Sequence, residues 1–229
     1  MAKTPEWLAA RIRDYYATTT EDSYLAHWSG GELSLHLGLA RETDPGGRDA
    51  AMARANAYLA DRARVRPGSR VLDAGCGVGG SALWLARERG ARVTGITLSP
   101  RQVELACGFA AAQGLADRAT FEVRDFAETG FGEGTFDVVW NLESLSHAHD
   151  PRGYLAHVHA LLAPGGRFVC MDPFRGTTGD PSQTRRMCEG MVLPSLRTVD
   201  ELVATLVELG FTDVEAVDLR DDVLLFART

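Results

Sequence analysis

The sequence predicts an α/β protein built on a mostly parallel sheet with helices packed on both faces. Three observations carry that expectation. From Pro67 onward, short apolar runs alternate with helical stretches, the order that a parallel sheet with crossover helices requires. A glycine-rich turn at Gly75, Gly77, Gly79 and Gly80 joins the first of these runs to the first of these helices. Only Leu219 to Asp222 separates the last two apolar runs. That is too short for a crossover, so an antiparallel hairpin is expected there.

Residues 1–46 read as an N-terminal helical cap and 47–229 as the main unit. Trp7, Leu8, Ile12, Tyr15 and Tyr16 recur at helical spacing, with Arg11, Arg13 and Asp14 between them, which marks an amphipathic helix. Thr19 or Thr20, followed by Glu21 and Asp22, looks like a second helix start. Beyond the turn-like Asp44-Pro45-Gly46-Gly47, an alanine-rich helix is expected from Arg48 to about Arg64. The strands are expected at Arg70–Asp73, Arg92–Thr97, Thr120–Val123, Asp137–Asn141, Arg167–Asp172, Val214–Asp218 and Val223–Ala227. Helices are expected at Ser81–Arg89, Pro100–Gln113, Pro151–Leu162 and Thr198–Leu209. The polar stretch RGTTGDPSQT, residues 175–184, reads as a loop at the carboxyl edge of the sheet, where open α/β sheets bind ligands.

Composition narrows the function. A chain of 229 residues that is 45% hydrophobic can bury a full core. A net charge of −7 argues against nucleic-acid binding. Cys76, Cys107, Cys170 and Cys188 lack metal-ligand spacing, so reduced thiols in a cytoplasmic protein are expected. Charges at Lys3, Glu6, Arg11, Arg13 and Asp14 interrupt the N-terminus where a signal peptide would be apolar. No run approaches membrane-spanning length, so no membrane partner is expected.

The strongest motif is VLDAGCGVGGSALWLA. Glycines in such a turn let a ligand approach the backbone, and the helix that follows offers free N–H groups to an anionic portion of it. Gly75, Gly77 and Gly80 satisfy the dinucleotide pattern G-x-G-x-x-G. Asp73 separates two readings, because a carboxylate suits a ligand with an ammonium group and sits poorly beside a pyrophosphate. With Asp73 included, D-x-G-x-G resembles motif I of class I S-adenosylmethionine-dependent methyltransferases, which have a Rossmann-like fold. A nicotinamide or adenosyl ribose is usually held by Asp or Glu about 20 residues beyond the glycines. This chain has Thr97 there.

The stretch I-T-L-S-P-R-Q resembles the tocopherol, sarcosine/dimethylglycine and geranyl diphosphate methyltransferase branch. The resemblance runs from about residue 15 to the C-terminus. It implies S-adenosyl-L-methionine as cofactor and a seven-stranded sheet that ends in the hairpin. Asp73, Gly75, Gly77, Gly79, Thr97, Leu98, Gln102 and Asn141 are the implied donor-binding positions, with Thr97, Leu98 and Gln102 at the ribose. Asp125 would hold the adenine amino group while Phe126 packs on the ring. Tyr16 and Gly38 join this set from the N-terminal cap. Tyr15, Trp28 and His36 match the cap of sarcosine and tocopherol methyltransferases in order, although Ser29 interrupts the usual tryptophan–glycine pair. With Ser144 and Asp172 they are the implied acceptor-binding residues.

WNLESLSHAHD exits the fourth strand, and Glu143 and His147 there are the candidates for positioning the acceptor and removing its proton. A helix-capping role for Glu143 or Ser144 is the competing reading. His147 is expected to titrate near neutrality. His149 and Asp150 are expected to begin the next helix. No metal is expected, because His147, His149 and Asp150 match no established ligand spacing. The partner is then a small-molecule acceptor, with a homodimer possible. The chain departs from the branch in that RDD alone bridges its last two apolar runs. A protein that retains the donor structurally, for instance in a cyclisation, is the alternative, and an NAD(P) oxidoreductase is the third reading.

Overall fold

The computed structural model describes residues 3–19, 31, 33–34, 36–41, 47–178 and 180–227. Trp28, Ser29, Thr20 and the turn at 44–46 lie outside the described residues. The N-terminal amphipathic helix is present as α1 (Glu6–Thr19), with Leu8, Ala9 and Ile12 buried. The alanine-rich helix is α2 (Gly47–Arg62).

The alternation beyond Pro67 becomes β1 (Arg70–Ala74), α3 (Gly80–Arg89), β2 (Arg92–Thr97), α4 (Pro100–Ala112), β3 (Ala119–Val123), β4 (Phe136–Leu142), α5 (Pro151–Leu161) and β5 (Leu162–Met171). The five strands are parallel, in the order β3-β2-β1-β4-β5. The chain therefore runs outward from β1 in one direction, then returns to β4 and runs outward in the other. The crevice at that reversal, between the carboxyl ends of β1 and β4, is where ligands bind in such sheets.

Each face of the sheet is closed by its own helices, because successive strand side chains point to opposite sides. Val71, Val93, Val138 and Trp140 pack with Leu59 of α2 and with Leu83 and Leu85 of α3. Leu72, Ile96 and Val139 pack on the other face with Leu155 and Val158 of α5. Fully burying a side chain of this size contributes about 1.5–3 kcal/mol. Local signals set the helix starts. Ser99 caps α4 ahead of Pro100, and Asp150 caps α5 by accepting from the Gly153 N–H at 3.0 Å.

The final third corrects the sequence reading in two places. α6 (Pro181–Gly190) begins within the stretch expected to be an irregular loop, started by Asp180 as N-cap with Pro181 at its first turn. The helix expected at Thr198–Leu209 is α7 (Val199–Glu208), opened by a Thr198/Glu201 capping box. The expected hairpin is absent among the described residues. Residues 214–219 form no strand, and Val223–Ala227 falls in and just after α8 (Arg220–Phe226). A consecutive run such as Val-Leu-Leu-Phe cannot be assigned to strand or helix by periodicity. Asp221 and Asp222 in its first turn favour the helix N-terminus. Phe226 is fully buried against Ala40, Ala51 and Met52, with the Arg48 guanidinium 4.6 Å from its ring centroid. An ion pair of 2.6 Å between Arg62 and Glu215 ties the preceding segment to α2. The sheet thus has five parallel strands where seven were expected.

Candidate active site

Beyond the carboxyl ends of β1, β2 and β4 lies a cavity of about 450 Å³. Its floor is the glycine turn. Gly75 has φ +91°, and a Cβ there would stand 2.5 Å from the Ser144 Cβ, so no larger residue fits between the turn and the β4 exit. Gly75, Gly77, Gly80 and Ser81 line the floor, while Gly79 is the N-cap of α3. Asp73, at the end of β1, also lines the cavity, and its Oδ2 is buried with no hydrogen-bond partner. Burial pushes its carboxyl up to about 7. A buried carboxylate without a donor is costly, and a cationic ligand group would remove that cost.

The β2 exit supplies Thr97, Leu98, Ser99 and Gln102. Thr97 Oγ1 donates to Gln102 Oε1 at 2.6 Å and accepts from the Ser99 N–H at 3.2 Å. The β3 exit supplies Asp125 and Phe126. The Asp125 carboxylate accepts from Thr4 N–H at 2.9 Å, Thr4 Oγ1 at 3.0 Å and Ala127 N–H at 2.9 Å. Thr4, just before α1, was invisible in the sequence, since nothing local marks a contact 121 positions away.

The β4 exit is held by a buried polar network. Tyr154 of α5 donates to Asn141 Oδ1 at 2.6 Å. Asn141 Nδ2 donates to Ser144 Oγ at 2.8 Å, and Ser144 Oγ donates to the Ala74 carbonyl at 2.6 Å. Asp172, beyond β5, accepts from the N–H groups of Ser144, Leu145 and Ser146 at 2.9, 2.8 and 3.2 Å. It thereby fixes the short 3₁₀ turn Leu145–His147. Its carboxyl is raised to about 6 by desolvation, which outweighs those hydrogen bonds. Ser144 and Asp172 line the cavity as well, whereas Asn141 sits behind the wall, fully buried.

Glu143 and His147 emerge from this frame into the cavity. Glu143 has φ +52°, uncommon for a residue other than glycine, and such strain concentrates at functional positions. Its Oε1 accepts from the Leu37 N–H at 2.6 Å, and burial pushes its carboxyl up to about 7. His147 Nε2 is 2.9 Å from the Tyr16 hydroxyl of α1. Burial holds the imidazole down at about 4, with the Val192 carbonyl acting the other way, so the expectation that His147 titrates near neutrality is corrected. His36 is also held at about 4 by burial. Its Nδ1 lies 2.9 Å from the Leu37 carbonyl, while Nε2 is buried without a partner.

The remaining cap residues are distributed unevenly. Tyr16 and His36 line the cavity. Tyr15 stacks edge-on against Tyr16 at 5.0 Å between centroids and is not part of the wall. Gly38 packs against α2, where a Cβ would stand 2.6 Å from the Ala51 carbonyl carbon; its need for a small residue is helix packing. Trp28 lies outside the described residues. Met187, Met191 and Val223 complete the wall. Met187 and Met191 were missed because no helix was expected between the loop at 175–184 and Thr198, although their four-residue spacing after Asp180-Pro181 carried a helical signal. Among the described residues no group of three or more His, Cys, Asp or Glu side chains is placed to hold a metal, and no helix is long and apolar enough to cross a membrane.

Residues 46–216 match a family model described as a methyltransferase domain. The probable tocopherol O-methyltransferase, chloroplastic, of Oryza sativa subsp. japonica is 35% identical over 180 residues, covering 74% of this chain and 49% of the relative. The [4+2]-cyclase SpnF is 26% identical with a TM-score of 0.83, covering 96% of this chain and 80% of that one. A geranyl diphosphate methyltransferase solved with SAM is 25% identical with a TM-score of 0.75, covering 85% of each chain. The chain spans about half the length of the curated relatives it matches first, 49% and 51%.

Proposed function

This chain belongs to the methyltransferase-domain family, and from that premise we propose that it transfers a methyl group from S-adenosyl-L-methionine to O, N or C of a small-molecule metabolite. Asp73 carries the reading. Its Oδ2, buried without a hydrogen-bond partner at the floor of the cavity, fits a donor with an ammonium group, and the backbone of Gly75 and Gly77 lines the same floor. Thr97 and Gln102 stand ready for the ribose, and Asp125 with Phe126 for the adenine.

When bound, the donor supplies an electrophilic methyl carbon on a sulfonium. The chain's own part is to hold an acceptor in line with that carbon and to exclude water, which can contribute up to ~7–11 kcal/mol. Glu143 is the proton acceptor in this reading. A carboxyl raised to about 7 matches the operating pH of a general base. His147, neutral and hydrogen-bonded to Tyr16, orients the acceptor and joins α1 to the wall. Asp172 keeps both residues in place through the backbone it caps.

The reading extends to specialised metabolism in the cytoplasm. Four free cysteines fit a reducing compartment, and the variety of small molecules named for the relatives supports the role. The likeness to SpnF favours one second reading, in which the donor is retained structurally and the protein promotes a cyclisation. Calorimetry with S-adenosylmethionine, NAD and NADP tests the first step; binding of NADP without S-adenosylmethionine overturns it. Turnover of methyl-labelled donor separates methyl transfer from the cyclase reading.

A further inference from the structure

Beside Tyr16, Ser34 and His36, the elements that cover the strand ends present a group of apolar side chains to the cavity. Ile12 of α1, Leu37, Met187 and Met191 at α6, and Val223 of α8 belong to this group. Methionine side chains adapt to irregular apolar shapes, so this wall suits a hydrophobic body without fixing its outline.

The acidic side chains lining the cavity outnumber the basic ones, four to two. Asp73, Asp125, Glu143 and Asp172 line it, and His36 and His147 are held neutral by burial. Arg13 and Arg124 are the only Lys or Arg side chains lining it among the described residues, and both are engaged elsewhere. Arg13 is ion-paired with Glu6. Arg124 donates to Glu122 at 2.6 Å and to the Thr129 carbonyl at 2.5 Å, with its guanidinium 4.5 Å from the Phe131 centroid. A phosphate ester that enters without a bound metal would meet four carboxyl groups and, among the described residues, no uncommitted Lys or Arg side chain, and burying such a charge unpaired is costly.

We propose that the acceptor is an uncharged, predominantly apolar molecule with one polar group at its reacting end, and not a phosphate ester that enters without a bound metal. The proposal rests on the methyl-transfer reading and selects among the acceptor chemistries that reading leaves open.

The test is calorimetric titration of the full chain, saturated with S-adenosylhomocysteine, with octan-1-ol and with octyl phosphate at pH 7.5. The alcohol is expected to bind at least tenfold more tightly than the phosphate. Met191→Lys, which adds a cation at a half-buried position of the wall, should narrow that preference several-fold. Equal or tighter binding of octyl phosphate overturns the proposal, as does failure of both to bind. The pair is also titrated without S-adenosylhomocysteine. A chain that does not bind S-adenosylhomocysteine defeats the methyltransferase reading, yet still reports the chemical preference of its cavity.

Discussion

The floor and the roof of the cavity are built by different means. The floor is made of strand ends and the turn between β1 and α3, and its polar contacts are short in sequence or cross one strand pair, as in Thr97 with Gln102 and Ser144 with Ala74. The roof is made of α1, residues 33–34 and 36–37, α6 and α8. Its polar contacts to the floor span 121, 131 and 106 positions: Thr4 to Asp125, Tyr16 to His147 and Leu37 to Glu143. In the proposed reading, donor recognition falls mainly to this locally specified floor, with Asp125 alone of its residues tied to the roof. The chemistry proposed for Glu143 and His147 would sit at the seam, where each bonds to the roof.

Substitutions that separate floor from seam test this division. The largest effect is expected at Asp73. Asp73→Ala should weaken donor binding about 100-fold, ~2.7 kcal/mol, with little loss of thermal stability, since it removes a buried carboxylate that has no partner in the free protein. Unchanged donor affinity by calorimetry would erase the distinction.

At the seam, Glu143→Gln should cut kcat about tenfold, ~1.4 kcal/mol, with the donor's Kd little changed. The wild-type acid limb of kcat/KM should have its midpoint near pH 7, where the carboxyl ionises, and the variant should lack it. If the variant keeps both kcat and that limb, Glu143 is a tether for Leu37 only.

The same substitution has a signed effect on stability. The folded pKa of Glu143 lies above its ordinary value of 4.5, so its contribution is fully present below about pH 4.5 and is lost as pH rises through about 7. Glu143→Gln should therefore gain Tm relative to wild type between pH 5 and pH 8, by ~2–4 °C for each kcal/mol relieved. The total Tm curve does not isolate this, because His36 and His147, both depressed to about 4, gain stability with pH up to about 6.5. A Tm difference independent of pH would contradict the assignment.

The smallest effect is expected where the roof touches the donor's side. Thr4→Val removes one of three hydrogen bonds to Asp125 and leaves its carboxylate freer for an adenine amino group. Donor affinity should tighten by about two- to fivefold, within the ~0.5–1.5 kcal/mol of a single hydrogen bond. Weakened donor binding would mean that Thr4 supports Asp125 instead of competing for it.

The same division explains what the sequence revealed. Asp73, Gly75, Gly77, Thr97, Leu98, Gln102, Asp125, Phe126, Glu143 and His147 all line the cavity, because each lies at or just past a strand end in a contiguous motif. Asn141 was legible as part of the β4 exit, but its position behind the wall depends on Tyr154 and Ser144. The roof was read less well. Met187 and Met191 were lost with the helix that carries them, and Val223 was assigned to a strand. Whether Val-Leu-Leu-Phe becomes strand or helix is decided by the site that Phe226 finds between Ala40 and Met52, which no local pattern encodes. His147's low pKa likewise follows from burial under α1 and not from its neighbours in the chain.

Tyr16 and Val223 line one cavity from nearly opposite ends of the chain. Closing so long a loop is entropically expensive before any contact rewards it, so the two terminal helices are expected to dock after the sheet and its flanking helices have formed. The same helices are then the first to detach when the protein opens locally, at free energies below that of global unfolding. Loss of the acceptor chamber would precede loss of the fold on gentle heating, and hydrogen exchange at α1 and α8 would outpace exchange in β1 and β4.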